Sequence, residues 1–253
     1  MKIYVIDSKP IKRVLAMIVV LMLSAVITAV VLLQVDKSIV ALEAGKEDTQ
    51  VKIKSVIIDP GHGGEDPGAI GANGVYEKDL NLSIAYMLKE SLAEKGYDVI
   101  LTRDSDRMLY SQNENIKGMR KLSDLKNRCA VGNQHPDAIF VSIHMNTFGA
   151  SEYSGLQVYY PKGSEEGKAL AASVQSTVRE QLQSENHRSI KGGEGMYLLD
   201  NIKSTAILVE CGFLSNSDEC KKLTEKEYQK QLSLSIACGI ITYIEQRNAD
   251  GVN

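Results

Sequence analysis

The sequence predicts an α/β domain, a mainly parallel sheet between two layers of helices, preceded by one membrane-spanning helix. Three observations predict it. From Val51 onward, short apolar runs alternate with longer amphipathic ones. One run, Ala138 to His144, is apolar on both faces, as a strand covered by helices on each side must be. Residues 14–33 form a mostly apolar segment of 20 residues without a charge. Parallel strands need helical crossovers, so the alternation itself argues for a parallel sheet.

The apolar segment, VLAMIVVLMLSAVITAVVLL, is long enough as a helix to span a hydrocarbon core of roughly 30 Å. Lys12 and Arg13 abut its N-terminal end, with Lys2 and Lys9 further out, whereas Lys37 and Lys46 on the other side are diluted by acids. The positive-inside rule therefore makes residues 1–13 a short cytoplasmic N-terminus and exports the rest. The following stretch, QVDKSIVALEAGKED, has no clean small-x-small cleavage site, so an anchor is expected in place of a cleaved signal peptide. Residues 34–52 are polar, lack a helical or strand period, and read as a linker.

Beyond the linker, strands are expected at Val56–Ile58, Val99–Leu101, Ala138–His144, Leu156–Tyr160 and Ala206–Glu210. Leu80, Ile84, Met87, Leu88 and Leu92 mark one helical face that Gly96 can end, and Leu170, Val174, Val178 and Leu182 mark a second. Thr224 with Glu227 reads as a capping box before a third stripe, Tyr228, Leu232, Ile236, Ile240 and Ile244. Ser105 to Leu125 reads as a long polar loop, of the kind that lines a site at a strand end. There is no internal repeat and no sign of a second domain. Cys129, Cys211, Cys220 and Cys238 are widely spaced without a C-x-x-C pair, so they are expected as small buried hydrophobes and not as a thiolate zinc site. A net charge of -3 with no Lys/Arg block gives no footprint for nucleic acid.

The first strand runs into IIDPGHGG, Ile57 to Gly64. Gly61 and Gly63 begin a G-x-G-x-x-G pattern, but Asp66 stands where the third glycine belongs, no G-K-[ST] follows, and Glu65 adds a second acid. Phosphate binding is therefore excluded. A metal fits better, because His62, His144 and Glu210 each fall at or just after the carboxyl end of an expected strand, where sites of open α/β sheets assemble. Two imidazoles and a carboxylate make the His₂Glu set of a catalytic zinc, with one position left for water. Glu77, in GVYEKD before the first amphipathic helix, is equally available. One of Glu77 and Glu210 could bind the metal while the other moves protons. Glu210 could also be a buried partner for Arg103 or Arg128.

Around these residues, Gly61, Gly63 and Gly64 permit positive φ so that His62 can be aimed over the sheet edge, and Pro60 stiffens the entry. Cys211 follows Glu210 directly and must point to the opposite face. Asn146 and Asn216 are candidates for substrate contact or for capping loops, and His135 and His187 are expected on the surface.

DPGHGGEDPGAIG, GVYEKDLNL, SIHMN (Ser142 to Asn146) and VECGFLSN (Val209 to Asn216), in that order over Val56 to Ile244, resemble the motifs of the zinc-dependent N-acetylmuramoyl-L-alanine amidases of the amidase-3 family. The resemblance implies a single three-layer α/β/α catalytic domain over residues 53–247. It further implies one zinc ion per chain on His62, Glu77 and His144, with Glu210 as the catalytic acid/base. The implied substrate is peptidoglycan, cut between the lactyl group of N-acetylmuramic acid and L-alanine of the stem peptide.

A membrane-tethered chain without wall-binding repeats is similar to the sporulation-specific branch of that family, and the run KLSDLKNR (Lys121 to Arg128) fits the same comparison. That branch acts in the spore cortex, where removing the stem lets a deacetylase make the muramic δ-lactam needed for germination. The domain would then lie between the two membranes of the developing spore. Other readings are a vegetative cell-separation amidase, a zinc peptidase of the stem, and a non-catalytic wall-binding protein. Some family members are blocked by an inserted helix and need an activator protein. The 105–125 segment lacks an amphipathic stripe, so an open site is expected.

Overall fold

The computed structural model describes residues 17, 21–32, 34, 53–71 and 74–250 of the 253-residue chain, in two compact units, Met1–Gln50 and Val51–Asn253. In the first unit, residues 21–32 are helical and their apolar side chains are exposed. Its polar side chains are satisfied within the helix: Ser24 Oγ donates to Leu21 O at 2.8 Å and Thr28 Oγ1 to Ser24 O at 2.9 Å. The rest of the predicted span (14–16, 18–20 and 33), the predicted N-terminus 1–13, and nearly all of the linker lie outside the described residues. Among the described residues no helix is long and apolar enough to cross a membrane.

The second unit begins with β1 (Ser55–Pro60), α1 (Glu77–Ala93), β2 (Asp98–Leu101), a 3₁₀ turn (Gln112–Glu114) and α2 (Arg120–Asn133). It continues with β3 (Ile139–Asn146), β4 (Gln157–Pro161), α3 (Glu165–Gln181), β5 (Lys191–Gly193) and α4 (Tyr197–Asn201). β6 (Ala206–Phe213), α5 (Ser217–Thr224) and α6 (Lys226–Asp250) complete it. The six strands are ordered β2-β1-β3-β6-β4-β5. Pairing is parallel except between β6 and β4, so β4 and β5 run against the other four.

Strand alternation divides the core. Val56, Ile58, Val141, Ile143, Val209 and Cys211 face the larger cluster, which includes the apolar stripes of α1, α3 and α6. Ile57, Phe140, Ala206 and Leu208 face a smaller one with Cys129 of α2 and Leu198 and Leu199 of α4. The predicted stripes are the packed ones: Leu80, Ile84, Leu88, Leu92, Leu170, Val174, Val178, Leu232, Ile236, Ile240 and Ile244 are all buried. α3 and α6 cross closely at Gly239, where a Cβ would stand 2.6 Å from Val174 Cα. Gly96, at φ +84°, follows α1 and donates its N–H to Ala93 O at 2.9 Å.

Three local expectations are corrected. The capping box at Thr224 does not form: Thr224 is the last residue of α5, its hydroxyl donates to Lys221 O at 2.6 Å, and α6 starts at Lys226. The 105–125 segment is a loop only in its first part, because α2 begins at Arg120 and takes in KLSDLKNR, whose Arg128 is buried. β5, KGG, has no apolar signal and was not expected; its backbone pairs with β4. All four cysteines are unpaired, with Cys129, Cys211 and Cys220 buried.

Candidate metal centre and active site

The loop leaving β1 is shaped by two buried arginines. Arg128 Nη1 donates to Pro60 O at 2.7 Å and its Nη2 to His62 O at 2.6 Å. Arg103 donates to Pro60 O at 2.9 Å and to Gly61 O at 3.0 Å. Three consecutive carbonyls are thus held on guanidinium groups. Asp59 anchors the clamp, accepting from Arg128 Nη1 at 2.7 Å, Thr102 Oγ1 at 2.6 Å and Ser142 Oγ at 2.7 Å. The expected rescue of the turn by glycine is only part of the answer. His62 itself has φ +62°, an uncommon conformation for a residue with a side chain, and the Arg128 bond to its carbonyl holds it there. Gly61 serves close approach instead, since a Cβ there would lie 2.2 Å from His144 Cε1.

His62, Glu77 and His144 converge. Their ligand atoms lie within 4.8 Å of one another, in an arrangement that could hold a metal ion. His62 Nε2 is 3.2 Å and His144 Nδ1 3.0 Å from Glu77 Oε1, and the two rings meet edge to face. Donors about 2.1 Å from a four-coordinate zinc stand about 3.4 Å apart, and the two separations to Glu77 Oε1 are close to that. The donors are braced from behind. Asp66 Oδ2 lies 2.8 Å from His62 Nδ1, which directs Nε2 toward the cluster. Glu77, the first residue of α1, accepts from Met145 N at 3.0 Å, Ala69 N at 2.8 Å and Asn81 Nδ2 at 3.3 Å. Burial disfavours charge on His62, but hydrogen bonds and charge from Asp66 and Glu77 prevail and push its pKa up to about 9. The same partnership holds Glu77 well below the usual carboxylate range in spite of its burial.

Glu210 stands directly across the β3–β6 pair from His144, on the same sheet face. A register shift follows at once, between His144 and Asn146, and ends the regular ladder beside the site. Among the described residues no arginine pairs with Glu210: Arg103 and Arg128 are engaged by the clamp, and Glu210 Oε2 is buried without a hydrogen-bond partner. Burial, with the charge of Glu77 added and those of His144 and His62 opposed, pushes its pKa up to about 7. A carboxyl that titrates near neutrality beside a metal-type cluster can both take and give a proton. Cys211 faces the opposite, larger core, as expected.

The remaining candidates separate. Asn146 lines a cleft together with Gln157, the register partner of Glu210. Asn216 is the N-cap of α5, its Oδ1 accepting from Asp218 N at 3.1 Å and Glu219 N at 3.0 Å. His135 and His187 lie away from the donor cluster, His135 just after α2 and His187 before β5. The sequence reading missed Asp66 as the brace for His62 and Asn81 as the brace for Glu77. Each lies four residues from its partner, and that spacing was the only available signal.

The family model described as N-acetylmuramoyl-L-alanine amidase, amidase type 3, matches residues 56–242. The chain belongs to this amidase family. The amidase is 34% identical over 194 residues to the germination-specific N-acetylmuramoyl-L-alanine amidase of Bacillus subtilis, covering 77% of this chain and 81% of that one. Among solved structures, the CwlD amidase of Clostridioides difficile, in complex with the GerS lipoprotein, shares 38% identity at a TM-score of 0.73, with 76% of this chain and 99% of that one covered. An N-acetylmuramoyl-L-alanine amidase from Clostridium difficile 630 shares 31% at a TM-score of 0.68, covering 78% and 99%. The amidase is thus an enzyme with a single α/β domain and a mostly parallel sheet, and its His62, Glu77 and His144 form a group able to hold a metal.

Proposed function

We propose that this amidase binds one zinc ion on His62, Glu77 and His144. With Glu210 as acid/base, it would hydrolyse the amide between the lactyl group of N-acetylmuramic acid and L-alanine in spore-cortex peptidoglycan. The observation that carries the mechanism is Glu210 across the strand pair from His144, with its Oε2 buried and without a hydrogen-bond partner. Zinc in this donor set supplies Lewis-acid polarisation of the carbonyl and acidifies water near neutral pH. His62, turned by Asp66, and Glu77, fixed by two backbone amides, would hold the ion together with His144. Glu210 takes the proton of the attacking water and returns it to the alanine nitrogen, which otherwise leaves poorly. A positioned acid/base of this kind is worth about 10²- to 10⁴-fold.

The cortex role is supported by likeness to the Bacillus subtilis germination-specific enzyme and the Clostridioides difficile CwlD amidase. The apolar, charge-flanked segment at 14–33 supports an anchor that keeps the domain outside the cytoplasm, and a lipoprotein partner such as GerS would meet it at that membrane. The decisive experiment treats muropeptides with the zinc-loaded full chain and identifies the products by mass spectrometry. New N-terminal L-alanine is expected, and Glu210→Gln should bind zinc normally while losing about 10²-fold or more in kcat. Cleavage inside the stem, or a Glu210→Gln protein as fast as wild type, would count against this mechanism. In spores of the host, loss of the gene should remove muramic δ-lactam from the cortex.

A further inference from the structure

The cleft that opens beside Glu210 is built to receive negative charge. Its floor continues the reactive strands: Asn146 follows His144 on the same face of β3, and Gln157 of β4 is the register partner of Glu210. Phe148, Tyr153, Tyr159, Phe213, Arg188 and Lys191 complete a cavity of about 280 Å³. Burial and the charge of Glu210 both hold the Tyr159 hydroxyl above its usual pKa, so the cavity lies within electrostatic reach of the acid/base.

Arg188 is the organising residue. Its Nε donates to Ser154 O at 2.7 Å, and its guanidinium carbon lies 4.3 Å from the Phe213 ring centroid and 5.5 Å from that of Tyr153. Its Nη1 also reaches Gln157 Oε1 at 3.5 Å, and the guanidinium, packed between the two rings and half-buried, keeps its Nη2 donors to spare. Among the described residues neither Arg188 nor Lys191 takes part in an ion pair. Glu219 feels the Arg188 charge, but its two oxygens are occupied by the amides of Gly155 and Phe213, each at 2.7 Å. Two cations beside a hydrolytic centre thus lack an internal counter-ion. Of the two sides of the scissile bond, the N-acetylated sugar is uncharged, whereas the peptide carries free carboxylates.

We propose that Arg188, assisted by Lys191, binds a free carboxylate of the stem peptide just beyond the scissile L-alanine, so that this cleft selects acidic over amidated stems. The inference rests on the amidase reading and assigns its leaving-group side. Arg188 supplies the planar, paired N–H donors that a carboxylate accepts, and Lys191, exposed at the rim, adds a second charge.

The test uses the full chain and two muramoyl peptides that differ only in whether the carboxyl of the second residue is free or amidated. Wild type should favour the free acid in kcat/KM by about ten- to a hundredfold, as charge-assisted hydrogen bonds are worth in mutational series. Arg188→Gln should bring that ratio to within about threefold of unity, mainly through KM, as loss of ground-state binding requires. Arg188→Lys should retain part of the preference and Lys191→Gln most of it. Fluorescence anisotropy of the labelled peptides on Glu210→Gln protein reads the same preference without turnover. A ratio unchanged in Arg188→Gln, equal losses on both substrates, or equal affinity of the two peptides overturns the subsite. Cleavage of neither peptide by wild type overturns the amidase reading, and the anisotropy ratio still decides the subsite.

Discussion

Asp59 and Glu210 are two inward carboxyls on one face of the same sheet, separated only by β3, and they are treated in opposite ways. Asp59 is fully buried but surrounded by donors: Arg128, Thr102 and Ser142. Burial would raise its pKa, yet the Arg128 charge and the two hydroxyls hold it below the usual carboxylate range. Glu210 receives no donor on Oε2, and burial pushes it up to about 7. The residue types are near-equivalent; the number of donors is not. A saturated carboxyl becomes a fastener, here for the loop that carries His62, while an unsaturated one stays able to exchange its proton.

Removing the fastener should have the largest effect on stability. Arg128→Met leaves Asp59 and Asp124 buried without their cation and releases the carbonyls of Pro60 and His62. Breaking such a pair costs about 3–5 kcal/mol, to be read from urea denaturation. A cost under about 1 kcal/mol would mean that the clamp is not what holds this loop.

A smaller effect is expected where the two regions meet. Asp66→Asn removes the carboxylate that turns His62, and zinc affinity measured by competition with a chelating dye should fall about 10- to 100-fold. In wild type the metal must displace the His62 proton. Affinity should therefore rise with pH up to about 9 and level off above it, because His62 is protonated below that value. An affinity flat between pH 6 and 9, about 6 being the lower end of the range tested, would show that Asp66 and Glu77 do not hold a proton on His62.

The smallest effect has the opposite sign to that at Arg128. The Glu210 carboxyl titrates near 4.5 when free and at about 7 in the fold, so its ionisation destabilises the fold progressively between those values and fully above them. In metal-free protein, Glu210→Gln should raise Tm by about 4 °C or more at pH 8, and the gain should vanish as the pH falls toward 4.5. A variant less stable than wild type at pH 8 would show that Glu210 contributes a native contact after all.

Much of the fold was legible because its signals are local. Apolar runs marked β1, β2, β3, β4 and β6, and stripes at helical spacing marked α1, α3 and α6, since burial on one face imposes a period on the chain. The start of α2 was hidden because its run is polar: Arg128 and Asp124 are buried as an ion pair, not as an apolar stripe. β5 was hidden because its only contribution is backbone pairing.

The sequence by itself determined the fold class, the family, and the small set of histidines and carboxyls from which a metal centre could be assembled. Spacing left Glu77 and Glu210 interchangeable until the family resemblance assigned them, and it left either arginine free to pair with Glu210. What only tertiary structure shows is the surroundings of each, because the groups that reach a carboxyl come from across strands and loops. His144, Met145 and Ala69 come to Glu77 from elsewhere in the chain, and Arg128 comes to Asp59 from 69 residues away, while among the described residues no hydrogen-bond partner comes to Glu210 Oε2. Such partnerships are set by packing, and packing leaves no period in the sequence.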